Sequence, residues 1–283
     1  MSRRYPRSVP HGAFVVVAAA RGHRRVAVDE LRARGAMSVE ERSVARDRAL
    51  VYARFADDSS AGRVVADLRS RGWPAVVRPV GGGHLAAWHA NTRPVVVDDR
   101  LWVCFPWTEV DREGAGLLVE IDPGPAFGAG GHPSTVLLLV ELARRIRGGE
   151  SVLDVGCGSG VLSVSAARLG AASVTAVDVD KGAIVSTRAN AARNGVGATV
   201  VASTTPAAEL TGTFDVIVAN IRAATLIELA AALQPRLAPR GWLGLSGLSP
   251  AQVSVVAAAY RPTRVIATPT RDDWAAVVVT PDG

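Results

Sequence analysis

Apolar positions change their period along this chain. Ala13–Ala19 is a short apolar run that predicts a strand, and Arg25–Arg34 has helical spacing closed by Gly35. Residues 36–44 and 49–55 alternate as two further strands, joined by the polar stretch Ala45–Arg48. Asp57 or Asp58 caps a helix through Leu68 that stops before Gly72, and Pro74–Val80 reads as a last strand. Strand, helix, strand, strand, helix, strand is the order of a ferredoxin-like α+β domain. Gly81–Gly83 marks its end, so residues 1–83 are expected as one domain and 84–120 as a connecting segment with strands of its own.

From residue 121 the pattern predicts a doubly wound α/β domain reaching residue 283. Helical spacing covers Ser134–Ile146, Val161–Leu169, Ala183–Asn194 (stopped by Gly195) and Ala224–Leu237. Apolar, β-branched runs at Val152–Val155, Ser173–Val177, Val216–Ala219 and Trp242–Ser246 alternate with them as strands. Two late runs, Thr263–Thr268 and Trp274–Thr280, supply an antiparallel pair. Gly156, Gly158 and Gly160 follow the first of these strands directly, where the backbone can take positive φ and approach a ligand. Asp178 ends the next strand, at the distance where an acid meets a ribose hydroxyl in nucleotide-binding units. A nucleoside-type cofactor is the expectation. The spacing is not that of a dinucleotide fold, and no phosphate-gripping Lys or Arg follows the turn. Gly156, Asp178 and Asn220 all stand at strand ends, hence together in space at the mouth of such a sheet.

Asp154-x-Gly156-x-Gly158-x-Gly160 with a strand-end acid resembles class I S-adenosylmethionine-dependent methyltransferases. Asp122–Thr135, Phe214–Ile221, Asn91–Pro94, Leu101-Trp102 and Ser246–Leu248 narrow the resemblance to the ribosomal protein L11 methyltransferase family. It is strong from about Asn91 onward. The resemblance implies a class I fold, S-adenosylmethionine as cofactor, and methyl transfer to amino groups of a protein, L11 or a similar one, at lysine side chains or the N-terminal amine. The alternative is the same fold acting on a small molecule or a different protein. Carried over by position, Thr135, Gly156, Gly158, Asp178 and Asn220 bind the cofactor, and Asn220 is the catalytic residue that orients the acceptor amine. Asp154 is a candidate for holding the cofactor's ammonium group. Ala129, Gly131 and Arg222 depart from the family pattern. Arg222 either enters the acceptor channel, where its charge disfavours a protonated lysine, or faces water from a helix start.

Composition fits a two-domain soluble enzyme of 283 residues with 48% hydrophobic content. A net charge of +6 comes from arginines scattered through the chain, with Lys181 the only lysine. No basic tract interleaved with aromatics occurs, so direct nucleic-acid binding is not expected. Cys104 and Cys157 make no disulfide framework, and no Cys/His cluster has metal spacing, so no metal is expected. Arg3-Arg4 before the apolar run at Phe14 imitates an export signal, but Arg21, Arg24 and Arg25 cut that run short. No run reaches the ~18 apolar residues of a membrane span. The expected location is the cytoplasm. His132, between Gly131 and Pro133, is expected to shape its loop by hydrogen bonding rather than act as a base.

Overall fold

The computed structural model describes residues 13–20, 23–43, 48–79, 94–108, 110, 116–122 and 130–282. The chain divides into two compact units, Met1–Asn91 and Thr92–Gly283.

In the first unit, strands β1 (Ala13–Ala20), β2 (Ser38–Ser43), β3 (Arg48–Phe55) and β4 (Ala75–Pro79) form one sheet in the order β2-β3-β1-β4. All three pairings are antiparallel. Helices α1 (Arg24–Ala33) and α2 (Asp58–Ser70) complete the ferredoxin-like order. Period-two alternation turns Val15, Val17, Ala19, Val51, Ala53 and Phe55 inward. There they meet Ala27, Val28 and Leu31 of α1 and Ala61, Val65 and Leu68 of α2. Asp57, the residue the sequence offered beside Asp58, is the cap: its side chain accepts from Ser60 N–H at 2.7 Å. Arg34 ties the two helices together through an ion pair to Asp67 at 2.6 Å.

In the second unit a three-stranded sheet, β5 (Val95–Asp98), β6 (Leu101–Cys104) and β7 (Leu117–Glu120), precedes α3 (Pro133–Arg145). Leu101, Val103, Val119 and Ile121 lie in the same core as α3 and the main sheet, so these strands are part of the second unit rather than a separate linker. The main sheet contains β8 (Ser151–Val155), β9 (Ser173–Val177), β10 (Val200–Ser203), β11 (Phe214–Asn220), β12 (Leu237–Leu248), β13 (Thr263–Ala267) and β15 (Trp274–Pro281). Their order is β10-β9-β8-β11-β12-β15-β13, with β14 (Thr270–Arg271) paired to β15. Pairs from β10 to β12 are parallel, and β15 runs antiparallel to both β12 and β13. Helices α4 (Val161–Arg168), α5 (Lys181–Arg193), α6 (Ala223–Leu233) and α7 (Val253–Ala259) connect them.

The central strands are buried on both faces, Val152, Leu153, Ile217, Val218 and Leu243 being wholly inaccessible, which is why they read as unbroken apolar runs. The strand order reverses between β8 and β11, the place where such sheets open a crevice at their carboxyl ends. Gly156, Asp178 and Asn220 stand at those ends.

Candidate functional site

The glycine turn after β8 takes left-handed conformations that only glycine adopts easily: φ is 77° at Gly156, 55° at Gly158 and 80° at Gly160. Its fit is close. A Cβ at Gly156 would collide with Ile221 Cγ2, and one at Gly160 would lie 2.9 Å from Thr187 Oγ1. Gly156 and Cys157 both donate their N–H groups to Val177 O, at 2.8 and 3.1 Å, which sews the turn to the end of β9.

Asp178 follows at once. One carboxylate oxygen accepts from Gly158 N–H at 3.0 Å and the other from Asp180 N–H at 2.9 Å. The acid expected from the sequence is therefore held against the glycine turn while remaining part-exposed. Asp180 caps α5 by accepting from Gly182 N–H at 2.8 Å.

Asp154 points elsewhere. Its Oδ2 accepts from Ser163 N–H at 3.1 Å and from Ser163 Oγ–H at 2.6 Å, inside the first turn of α4. Gly160, the cap residue of α4, has no side chain to offer, so a carboxylate from the preceding strand caps that helix instead. Asp154 is completely buried and its Oδ1 has no hydrogen-bond partner among the described residues. Burial pushes this carboxyl up to about 6. Burial also lifts the Cys157 thiol to about 12, which removes it as a nucleophile.

On the other side of the crevice, Asn220 Nδ2 donates to Thr135 Oγ1 at 2.9 Å. Thr135 is buried in the first turn of α3 and Asn220 is half-buried. Ser246 stands beside Asn220 in the β11–β12 register, and its Oγ donates to Ser134 O at 2.8 Å. Neighbouring strand ends thus grip neighbouring residues of one helix start. His132 is the cap of α3: Ser134 N–H donates to its Nδ1 at 3.3 Å, and Ser134 Oγ lies 2.8 Å from the same nitrogen. Its ring meets Trp274 edge-on, centroids 4.7 Å apart. Burial lowers the His132 pKa, which keeps the nitrogen an acceptor. Loop shaping, as the sequence suggested, is what this geometry performs.

The structure therefore brings Thr135 to Asn220 and Asp178 to Gly158, at the carboxyl ends of one sheet. Arg222, at the cap of α6, is exposed and makes no side-chain cap. Of the departures, Ala129 lies outside the described residues, as does the stretch from Phe127 to it. Gly131 is exposed. Gly130 is the position with no room, since a Cβ there would come within 2.8 Å of Val103 Cγ1.

Three residues escaped sequence reasoning. Thr187, Asn190 and Asn194 form a polar stripe on the buried side of α5, with Asn190 1% exposed. Thr187 Oγ1 donates to Gly158 O at 3.1 Å, and Asn190 Nδ2 to Ser159 O at 2.9 Å. Their i, i+3, i+7 spacing beside the buried Ala183, Ile184 and Ala191 was the available signal.

Among the described residues no helix is long and apolar enough to cross a membrane. Comparison with known proteins identifies the family. A relative from Citrifermentans bemidjiense called ribosomal protein L11 methyltransferase is 42% identical over 193 residues, which are 66% of this chain and 63% of that protein. One of the same name from Cupriavidus necator is 36% identical over 237 residues, 81% of this chain and 77% of that protein. The crystal structure of a ribosomal protein L11 methylase from Lactobacillus delbrueckii subsp. bulgaricus superposes with a TM-score of 0.63 at 28% identity, covering 68% of this chain and all of that one. The fold is that of the class I methyltransferases. The ribosomal protein L11 methyltransferase (PrmA) family model matches residues 84–281, and the chain belongs to that family.

Proposed function

We propose that this protein transfers methyl groups from S-adenosylmethionine to amino groups of a protein, ribosomal protein L11 being the acceptor that the family membership favours. The observation that carries this reading is the pairing of a glycine turn whose Cβ positions are filled by Ile221 and Thr187 with a part-exposed Asp178 carboxylate fixed to that turn. Such a cradle fits a nucleoside that carries no phosphate. In this reading the left-handed turn that Gly156 and Gly158 allow sets its backbone beside the cofactor. Asp178 accepts from the ribose hydroxyls with the lone pairs that Gly158 and Asp180 leave open. S-adenosylmethionine supplies, when bound, a sulfonium-activated methyl that a nitrogen lone pair can displace.

The chain's own residues orient and desolvate. Asn220, its amide anchored by Thr135, presents Oδ1 to an N–H of the acceptor amine and leaves the nitrogen lone pair free for the methyl, and Thr135 serves the site by holding that anchor. Alignment of this kind is worth ~7–11 kcal/mol of barrier. A buried crevice also lowers the pKa of an ammonium, which delivers the amine neutral without a dedicated base. His132 caps α3 through Nδ1, and this reading gives it a loop-shaping role only. Residues 1–83 are, in this reading, the domain that holds the protein acceptor, and the cytoplasm is where cofactor and acceptor meet.

Incubating the purified chain with methyl-labelled S-adenosylmethionine and ribosomal protein L11 tests the proposal. Label on L11 amino groups is the expected result. Label found only in a metabolite extract would replace the protein acceptor by a small molecule.

A further inference from the structure

Among the described residues, strand β7 pairs with another strand along one edge, that of β6. Leu117 and Ile121 donate N–H groups toward β6, to Arg100 O at 2.7 Å and Cys104 O at 2.8 Å. The alternation of a strand therefore turns the backbone groups of Glu120 and Asp122 the opposite way. Those groups meet two asparagine amides of α5 instead of another strand. Asp122 N–H donates to Asn190 Oδ1 at 2.9 Å, and Asn190 Nδ2 returns a bond to Asp122 O at 2.9 Å. Glu120 N–H donates to Asn194 Oδ1 at 2.9 Å, and Asn194 Nδ2 returns one to Glu120 O at 2.7 Å. The match is metric. Four residues of helix rise about 6.0 Å and two residues of strand about 6.6 Å, so asparagines at i and i+4 fall opposite alternate strand residues.

Asn190 does more than close an edge. Its second Nδ2 hydrogen goes to Ser159 O at 2.9 Å, within the glycine turn. Both of its donors and its carbonyl are thereby used, as an amide that is 1% exposed requires. Asparagine is a poor helix-interior residue, and nothing in helix formation asks for it here. One side chain joins the turn behind the cofactor crevice to Asp122, which opens the segment ending in Thr135.

We propose that Asn190, seconded by Asn194, is a positioning residue for cofactor binding: it sets the spacing between Ser159 and Asp122, so that affinity for S-adenosylmethionine depends on an amide placed behind the turn. This rests on reading the Gly156–Asp178 crevice as the cofactor site.

The full-length chain and its variants are titrated with S-adenosylhomocysteine by calorimetry, and KM for S-adenosylmethionine and kcat are measured with L11. Asn190→Ala is expected to raise the cofactor Kd and KM about tenfold or more while kcat at saturating cofactor stays within about threefold. Asn194→Ala, which touches only the Glu120 side of the clamp and the backbone O of Asn190, moves both constants the same way by about threefold. Ser151→Ala is the control. It cuts the Ser151–Asp215 bond at 2.7 Å, at the opposite end of β8, and should lower the melting temperature with Kd unchanged. Wild-type affinity in both asparagine variants overturns the proposal. So does a Kd that follows melting temperature alike in Asn190→Ala and Ser151→Ala. Should Asn190→Ala not fold, Asn194→Ala decides by the same criterion. A wild-type chain that binds no S-adenosylhomocysteine would instead refute the cofactor reading itself.

Discussion

Replacing Thr135 by valine keeps the side-chain shape and removes one oxygen, the acceptor that anchors Asn220 Nδ2 at 2.9 Å. Thr135 is 2% exposed, so water has little room to take its place. A lost hydrogen bond of this kind costs about 0.5–1.5 kcal/mol, and an orphaned buried donor about 1–3. Asn220 is half-buried, which puts the sum near the lower part of that range, about 1–2 kcal/mol. If the bond aligns Asn220 for the acceptor, that energy is lost in the transition state, and kcat falls about 5- to 30-fold. Cofactor affinity, carried by Asp178 on the other side of the crevice, should stay within about threefold. The decisive assay is a double-mutant cycle with Asn220→Ala, using initial rates of methyl transfer to L11. In the Asn220→Ala background, Thr135→Val should cost no more than about 0.3–0.5 kcal/mol further, because the partner is already gone. Equal losses in both backgrounds would refute the anchoring role.

Gly160→Ala places a side chain at φ 80° and within 2.9 Å of Thr187. It should lose about 1–2 kcal/mol from the left-handed backbone and about 1–3 more from crowding, and an unchanged urea midpoint would contradict the turn geometry. Asp154 holds its proton to about pH 6 in the fold, against 3.8 ordinarily. Its contribution to stability is thus fully present below about pH 4 and disappears as pH rises through about 6, by up to about 3 kcal/mol. Asp154→Asn should lack that decline in denaturation curves taken between those limits; parallel curves would mean the carboxyl titrates normally. Arg222→Leu alters an exposed residue and should shift stability by less than about 0.5 kcal/mol and leave methyl transfer unaltered. A marked gain or loss of transfer to lysine would bring the guanidinium into the acceptor channel.

Local pattern and family motif together made much of this protein legible, and the exceptions share a cause. Val152–Val155, the glycine turn and Asp178 announce themselves because a buried parallel strand must be apolar and its turn must be glycine. Strand β10 did not stand out, because it has only four residues at the sheet edge, with Val200 buried and Val201 exposed. Helix α7 is short and composed of Val, Ser and Ala, with one side chain, Val256, buried, so it leaves no strong stripe. Strand β12 begins at Leu237, five residues before the expected Trp242, since Pro239 and Gly241 hide its first part. The expected connecting segment turned out to bury Leu101, Val103 and Val119 in the second unit's core. At the site, the positions of Gly156, Asp178 and Asn220 followed from strand ends, whereas their partners did not. Thr135 and Asn220 are 85 residues apart, and only the folded sheet pairs them. Asp154 sat in the right motif, yet Ser163 claims its Oδ2, because a helix beginning at glycine needs a cap from elsewhere. Asn190 and Asn194 were placed on a predicted helix without partners, since buried asparagine is recognisable only once the backbone groups it satisfies are seen.

The claim on which all of this stands is that the Gly156–Gly160 turn and Asp178 hold the cofactor. Calorimetric titration of the wild type and Asp178→Ala with S-adenosylhomocysteine tests it most directly, with thermal melts taken alongside. The carboxylate offers charge-assisted bonds worth about 1.5–3 kcal/mol each, so the variant should bind at least about tenfold more weakly. It also loses the tie to Gly158 N–H, while the buried strands around it keep the fold. Equal affinity in a folded Asp178→Ala variant would take Asp178 out of the site and contradict the account.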